Sequence, residues 1–480
     1  MLKLIQDLFR MKRYLMGEGY DQALDYINKI VPLEILEVSS GTQVGNWTVP
    51  QEWIMRDGWV KFNGEKILDY KDNPLSVAVY SQPIHTTIDK QEFIKHLFTS
   101  DEKNDNYAYD YHFYDAYWGF TLPKNKIKKH VIQKCEGGIC TEELADIDPS
   151  VGQIMVDGAI TQPIFKDILE EGEYEVFIDS ELKPGTMKIG VHTIPGKTDR
   201  EILLFAHLDH PHQANDNLSG VACLVDMAQR IKDAGFEHTI RLIFCPETIG
   251  SVAYAELCDI SKVDFVIALD AVGNDNSLLI QKAYDKYARL NYCVHLASAG
   301  QSVDYRKGEF RMVAGSDEYY FNDPRVNIPG LMLSRLPYPE YHTELDTPNI
   351  IKEEKLTQVQ DVIMRVIDIY EKDYIPDRAW VGPLMRQQYG IQTPHKLLNR
   401  EMDYLFYEID GKKYLSEIIL ALGLGFDFAY KTLEILKQNG QISSTHVGKV
   451  TKQKTAVKKH KGLSRKSNVA YKRKKVSKVI

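Results

Sequence analysis

Apolar residues recur at helical spacing at the N-terminus: Leu4, Leu8, Met11 and Leu15, then Ala23, Leu24 and Ile27. The spacing predicts helix over 4–30, broken near Gly17–Tyr20, where "GEGY" interrupts it. From about 42 to 134 the period changes. Short runs such as "WIMRDGWVKFNG" and "LSVAVYS" alternate with turn signals, and aromatics are dense in "YAYDYHFYDAYWGF". That texture predicts a small β-rich unit. Residues 135–172 keep no clear period and read as a connecting insertion or lid.

From about 173 the rhythm is strand, helix, strand. The strand candidates are "EYEVFIDSEL", "TMKIGVHTI", "EILLFAH", "TIRLIFCPE", "FVIALDAVG", "SLLIQKA" and "GLMLSRL". Helix candidates are 217–233, 284–299 and 355–372. In the last, Leu356, Val359, Val362, Ile363, Val366, Ile367 and Tyr370 share one face. Near-continuous apolar strands alternating with helices predict an α/β class with a mostly parallel, doubly covered sheet. In 398–444, two short helices joined through "GLG" and followed by a short strand outline a winged-helix-like unit. The expected division is a core of 1–41 and 173–378, a β-rich insert of 42–134, a connecting insertion or lid of 135–172, a winged-helix-like unit of 379–444 and a basic disordered tail of 445–480.

A chain of 480 residues is too long for one compact core, which agrees with that division. No apolar run approaches the roughly 20 residues needed to cross a bilayer. The N-terminus carries charges throughout and lacks the apolar stretch of a secretory signal, so a cytoplasmic protein with no membrane partner is expected. Six cysteines form no disulfide framework. Cys223, Cys245, Cys258 and Cys293 lie in apolar runs as buried thiols, while Cys135 and Cys140 read as loop cysteines rather than a metal pair. Charge is unevenly placed. The net of −8 hides 13 Lys and Arg, without one Asp or Glu, between Thr445 and Ile480. A basic tail beyond a winged-helix-like unit is a candidate nucleic-acid surface; the alternative is a solvated tail beside a docking domain. A homo-oligomer is compatible with the chain.

The chemistry concentrates at predicted strand ends. "HLDHPHQANDNLSG" follows an apolar strand and leads into a helix, placing His207, Asp209, His210, His212 and Asp216 within ten positions. "LIFCPETIGS" adds Glu247, "VIALDAVG" adds Asp270, and "RLPYPEYHTELDTP" adds His342. Imidazole and carboxylate are the ligands zinc takes when a site also does chemistry, and strand ends of an α/β sheet are where such sites form.

In this order "HLD", "NDNLSG", a glutamate before "GS", "ALDAVG", "GSDEYYF" and "YHTELDT" resemble the M28-type zinc aminopeptidases. "SGTQVGNWTVPQEWIMRDGWV", "WGFTL", "HPHQANDNLSG" and "PETIGS" further resemble a bacterial subgroup of aminopeptidase-like proteins associated with polysaccharide biosynthesis, with an inserted β-rich domain and a winged-helix-like C-terminal domain. The resemblance implies zinc, one or two ions per chain, with manganese or cobalt as alternatives. It makes Asp216 a carboxylate bridging two metals, with His207 on one and Asp270 and His342 on the other. Asp209 would orient His207, and Glu247 would be the catalytic base. The chain departs from the pattern twice. One glutamate precedes "GS" where the family has two. His210 has no counterpart, and either replaces the missing glutamate or displaces His207. Asp317, Arg335 and Tyr341 are candidate substrate contacts. For Asp317 a capping role is the alternative, for Arg335 pairing with Glu340 or Glu344, and His212 is expected to be an exposed loop residue.

The leading expectation is a metal-dependent, aminopeptidase-like hydrolase cleaving a peptide or amide bond in a short peptide or amide-linked small molecule. Its rivals are an inactive ligand sensor that binds nucleic acid, and an amidase or deacetylase of amino-sugar precursors.

Overall fold

The computed structural model describes residues 1–99, 105–136, 139–145, 154–156, 159–161, 164–301, 303–391 and 398–445. The basic tail expected beyond Thr445 lies outside the described residues, as do the side chains of Cys135 and Cys140.

An eight-stranded sheet organises the molecule. Its order is Glu34–Ser39, Thr186–Ile194, Thr239–Cys245, Glu201–His207, Val263–Asp270, Gly330–Ser334, Leu278–Gln281, Tyr305–Gly308. The four central strands run parallel and end together at Cys245, His207, Asp270 and Ser334. Their runs are continuously apolar because both faces are covered. Alternate residues serve two cores. Leu204, Leu242, Ile267 and Leu333 pack under the helices Leu2–Phe9, Glu18–Asn28, Leu218–Ile231 and Glu353–Lys372. Phe205, Ile243, Val266 and Ala268 face the Ile249–Leu257 helix and apolar residues of the insertion. The predicted core strands and the three predicted helices form, and the sheet is mixed, with antiparallel pairs toward both edges.

The insertion builds its own antiparallel sheet in the order Glu65–Asp69, Glu52–Phe62, Glu173–Lys183, Ile84–Asp89. Here the structure departs from the expected first core strand. Glu173–Lys183 pairs with Glu52–Phe62 and Ile84–Asp89, not with the central sheet. The reason is visible in its burial. Tyr174, Val176, Ile178 and Ser180 are buried while the residues between them are not, the alternation of a strand covered on one face. Part of the connecting segment without a clear period is also β: Lys128–Glu136, Ile139–Ala145 and Ile164–Asp167 form a three-stranded sheet, with Cys135 opposite Cys140 along the backbone.

The C-terminal helices Leu398–Glu408, Leu415–Leu422 and Phe426–Gln438 share the first core through Met402, Leu405, Leu415, Ile418 and Leu433. Ile442–Thr445 pairs with Ile375–Arg378. Among the described residues three α-helices went unpredicted, Lys90–Lys95, Ile249–Leu257 and Leu398–Glu408. Ile249–Leu257 is buried along seven of its nine residues, so it lacks the polar face that signals a helix. Among the described residues no helix is long and apolar enough to cross a membrane.

Candidate metal and active site

The site is built where the central parallel strands end. His207 is the last residue of its strand, Asp270 of the next, and Glu247 follows Cys245 by two positions. The 208–217 loop folds across these ends, held from three sides. Arg13, fully buried, donates to the carbonyls of Leu208 (2.6 Å), Asp209 (3.1 Å), His210 (2.8 Å) and Gln213 (3.0 Å). Asp346 accepts the backbone N–H groups of Asn215 (2.6 Å) and Asp216 (3.0 Å) and the hydroxyl of Tyr338 (2.8 Å). Asn217 caps the following helix: its Oδ1 accepts from Gly220 (3.1 Å) and from Ala271 (3.2 Å). Gly220 is required there, since a Cβ would stand 2.5 Å from that same oxygen.

Asp216 is the centre. Its Oδ1 lies 2.8 Å from His207 Nε2 and 3.2 Å from His210 Nδ1, and its Oδ2 lies 3.0 Å from His342 Nε2. His210 Nε2 stands 3.4 Å from Glu247 Oε2. His207, His210 and Asp216 offer ligand atoms within 4.8 Å of one another, and so do His207, Glu247 and Asp270. His210 therefore sits beside His207 instead of displacing it. Asp270 groups with His207, where the resemblance sets it apart with His342. His210, His212, Thr248, Ala271 and His342 all have positive φ. Non-glycine residues hold that costly conformation where the surroundings impose it, and such positions gather at functional sites.

Electrostatics explains the histidines. Burial raises Asp216, but the charge of His210 and hydrogen bonds from His207, His210 and His342 outweigh it, so its carboxyl is held well below the usual range. Burial and the Asp216 charge push Asp270 well above it. Burial opposes charge on His207 and His210; nearby carboxylates, Glu247 foremost for the one and Asp216 for the other, outweigh it and hold both imidazoles protonated far above their ordinary value. A cluster this acidic needs positive charge, as protons on imidazole or as a metal cation that replaces them. The donor set fits a divalent transition metal. It is mixed nitrogen and oxygen, buried and convergent, and it leaves the buried Asp270 Oδ1 without a hydrogen bond.

Not every expected residue behaves as expected. Asp209 does not take the second nitrogen of His207. Its Oδ1 accepts the backbone N–H of Glu247 (2.9 Å), which makes it a brace for the glutamate. His207 Nδ1 faces Asp317 Oδ2 at 3.6 Å, Asn217 Nδ2 at 3.3 Å and Ser316 Oγ at 3.4 Å. Asp317 Oδ1 also accepts the Thr248 N–H (3.0 Å), so this one side chain faces the site and ties down a helix start. Arg335 does not pair with Glu340 or Glu344. It is buried and donates to the carbonyls of Val272 (2.9 Å) and Asn276 and to Gln358 Oε1 (3.1 Å). Tyr341 stacks on His342, with ring centroids 4.0 Å apart and planes at 14°. His212 is half-buried, edge-on to Phe9 at 6.3 Å.

Arg13, Asp346 and Tyr109 also build the site, and nothing local to any of them in the sequence assigns it that role. Tyr109 comes from the insertion. Its N–H donates to the His342 carbonyl (2.7 Å), and its ring lies 5.1 Å from His210 and 5.2 Å from His342. Ala108 bridges to Thr343, and the Glu344 N–H donates to Tyr107 (3.2 Å). The aromatic run "YAYDY" was a signal of sorts, but nothing local says which loop it meets.

Comparison with known proteins agrees with this picture. A Clostridium acetobutylicum protein provisionally named for polysaccharide biosynthesis, with an aminopeptidase-like domain, is 30% identical over 439 residues, covering 88% of this chain and 91% of its own length. A crystal structure provisionally named as a peptidase, also from C. acetobutylicum, superposes with a TM-score of 0.70 at 27% identity, covering 92% of this chain and 96% of that one. A zinc aminopeptidase from Bacillus subtilis shares the fold at a TM-score of 0.50 and 13% identity, covering 76% of this chain and 94% of its own. The model of a domain of unknown function, DUF4910, matches residues 2–373. The chain thus belongs to the DUF4910 family, on an aminopeptidase-like α/β fold.

Proposed function

We propose that the protein is a metal-dependent hydrolase of a peptide or other amide bond, with zinc as the expected metal, one or two ions per chain. One observation carries the reading: the Asp216 carboxylate turns one oxygen to His207 and His210 and the other to His342, beside Asp270 and Glu247, at the common end of the parallel strands. His207, His210, Asp216, Asp270 and His342 would hold the metal. When bound, it would supply a Lewis acid and make a nearby water more acidic. Glu247 is the most exposed carboxylate of the set, its side chain 25% accessible. It would take a proton from the attacking water as that oxygen adds to the carbonyl carbon, and return it to the nitrogen as the C–N bond breaks. Asp209 would fix Glu247 through the backbone, and Asp317 would bear on His207. The zinc aminopeptidase fold supports the class of reaction; the name of the C. acetobutylicum relative supports amino-sugar amides as substrates beside peptides.

Metal per chain, measured on tag-free protein purified without chelator, and turnover of dipeptides and acetamido sugars test the reading together. Asp216→Ala is expected to lose both metal and turnover. Full activity in that variant would sink the assignment.

A further inference from the structure

A groove of about 920 Å3 begins at Thr248, the residue after Glu247. That size lies within the range of ligand pockets, roughly 300–1,000 Å3. Thr248 ties the groove to the cluster, because its N–H is bonded to Asp317, which faces His207. The walls are aromatic. Trp47, from the insertion, lines the groove together with Tyr284, Phe310 and Tyr319. Tyr284 is 59% and Tyr319 49% exposed. These rings are held as a set: Tyr284 stands edge-on to Phe310 (5.6 Å), and Phe310 stacks on Tyr319 (5.7 Å). A fixed, solvent-facing aromatic set beside a candidate active site is a surface built to be covered.

The polar lining narrows what covers it. Asn46, Asp323 and Arg325 offer donors and acceptors, and Asp323 and Arg325 pair with each other (3.2 Å). No cluster of cations is present in this lining to hold an anion. Of the lining residues only Trp47 lies in a strand, a two-residue ladder, so there is no open strand edge to pair an extended peptide. A pyranose ring matches both features. It has an apolar C–H face for the rings and uncharged hydroxyls for the amide, carboxylate and guanidinium. We propose that this groove is a sugar-binding subsite that seats a pyranose unit of the substrate next to Glu247. Its role as a substrate subsite rests on the hydrolase reading; its capacity to bind a sugar does not.

Saturation-transfer NMR of the full chain with N-acetylglucosamine and its β-1,4-linked disaccharide tests this. Transfer to the sugar C–H protons is expected, with binding weakened about three- to tenfold by Tyr284→Ala and by Tyr319→Ala. Tyr319→Phe, which keeps the ring, is expected to bind like the parent. No transfer from either sugar, or equal transfer in both alanine variants, overturns the proposal; so does transfer to a phenylalanine dipeptide alone. Sugar binding in a parent protein that hydrolyses no amide would leave the sugar site standing and remove the hydrolase reading with the subsite role.

Discussion

Arg13 carries more of the site than its place near the N-terminus suggests. One guanidinium satisfies four carbonyls of the 208–213 loop and that of Leu8 (3.2 Å). Arg13→Met would leave those buried acceptors unpaired, at about 1–3 kcal/mol each before relaxation. We expect a clear loss of thermal stability and at least a tenfold fall in zinc affinity by competition titration, because the loop presents His210 and leads to Asp216. Unchanged zinc affinity would show that the ligands hold their places without it. His295 gives a pH dependence remote from the metal ligands. Burial, with Lys307 and Lys282 nearby, lowers it to about 4, and Glu309 opposes this only in part. An unfolded histidine titrates near 6.5. Between those values the unfolded chain binds the proton and the folded chain does not, so stability is full above about pH 6.5 and is lost as pH falls toward 4. Allowing for solvent screening, the loss between pH 7 and pH 5 is about 1 kcal/mol. Urea unfolding of His295→Gln should show a correspondingly flatter acid limb. Predicted strand ends pointed to His207, His210, Asp216, Glu247, Asp270 and His342. They could not point to Arg13, which acts through backbone atoms about 195 positions away.

Elements were legible where their period matched their surroundings. The central strands read as continuous apolar runs because two layers cover them, and the Glu353–Lys372 helix read as amphipathic because one face is buried. Glu173–Lys183 read correctly as a strand but was assigned to the wrong sheet. An alternating strand fits any sheet with one covered face, and partner choice is a long-range matter. Its two faces should therefore respond differently. Ile178→Ala, at a fully buried position, is expected to cost about 2–5 kcal/mol in chemical denaturation. Glu175→Ala, which removes exposed pairs with Lys61 and His85, should stay within about 1 kcal/mol. Equal costs would contradict the register.

Across the whole molecule, distant segments meet through a few buried polar groups. Asp373 accepts Arg289 Nε (2.9 Å), the Ser416 N–H (2.8 Å) and the Ser416 hydroxyl (2.7 Å), linking the core to the C-terminal helices. Asp373→Ala leaves Arg289 without its carboxylate in a largely buried place, a loss of about 3–5 kcal/mol. Faster proteolysis within 379–391 should accompany the lower melting temperature; an unchanged cleavage rate would mean the helices dock through their apolar contacts alone. The sequence by itself determined the local periods, the four parallel central strands, and which side chains have the chemistry of metal ligands, because propensity, patterning and side-chain chemistry are properties of neighbours along the chain. Tertiary structure alone decided that Asp270 joins His207, that Asp209 braces Glu247, that Arg335 is spent on carbonyls and that Tyr109 of the insertion closes on His342. Each of these is a pairing across 38 to 233 positions, set by which strand ends and loops the sheet brings together and by which buried polar groups must then satisfy one another.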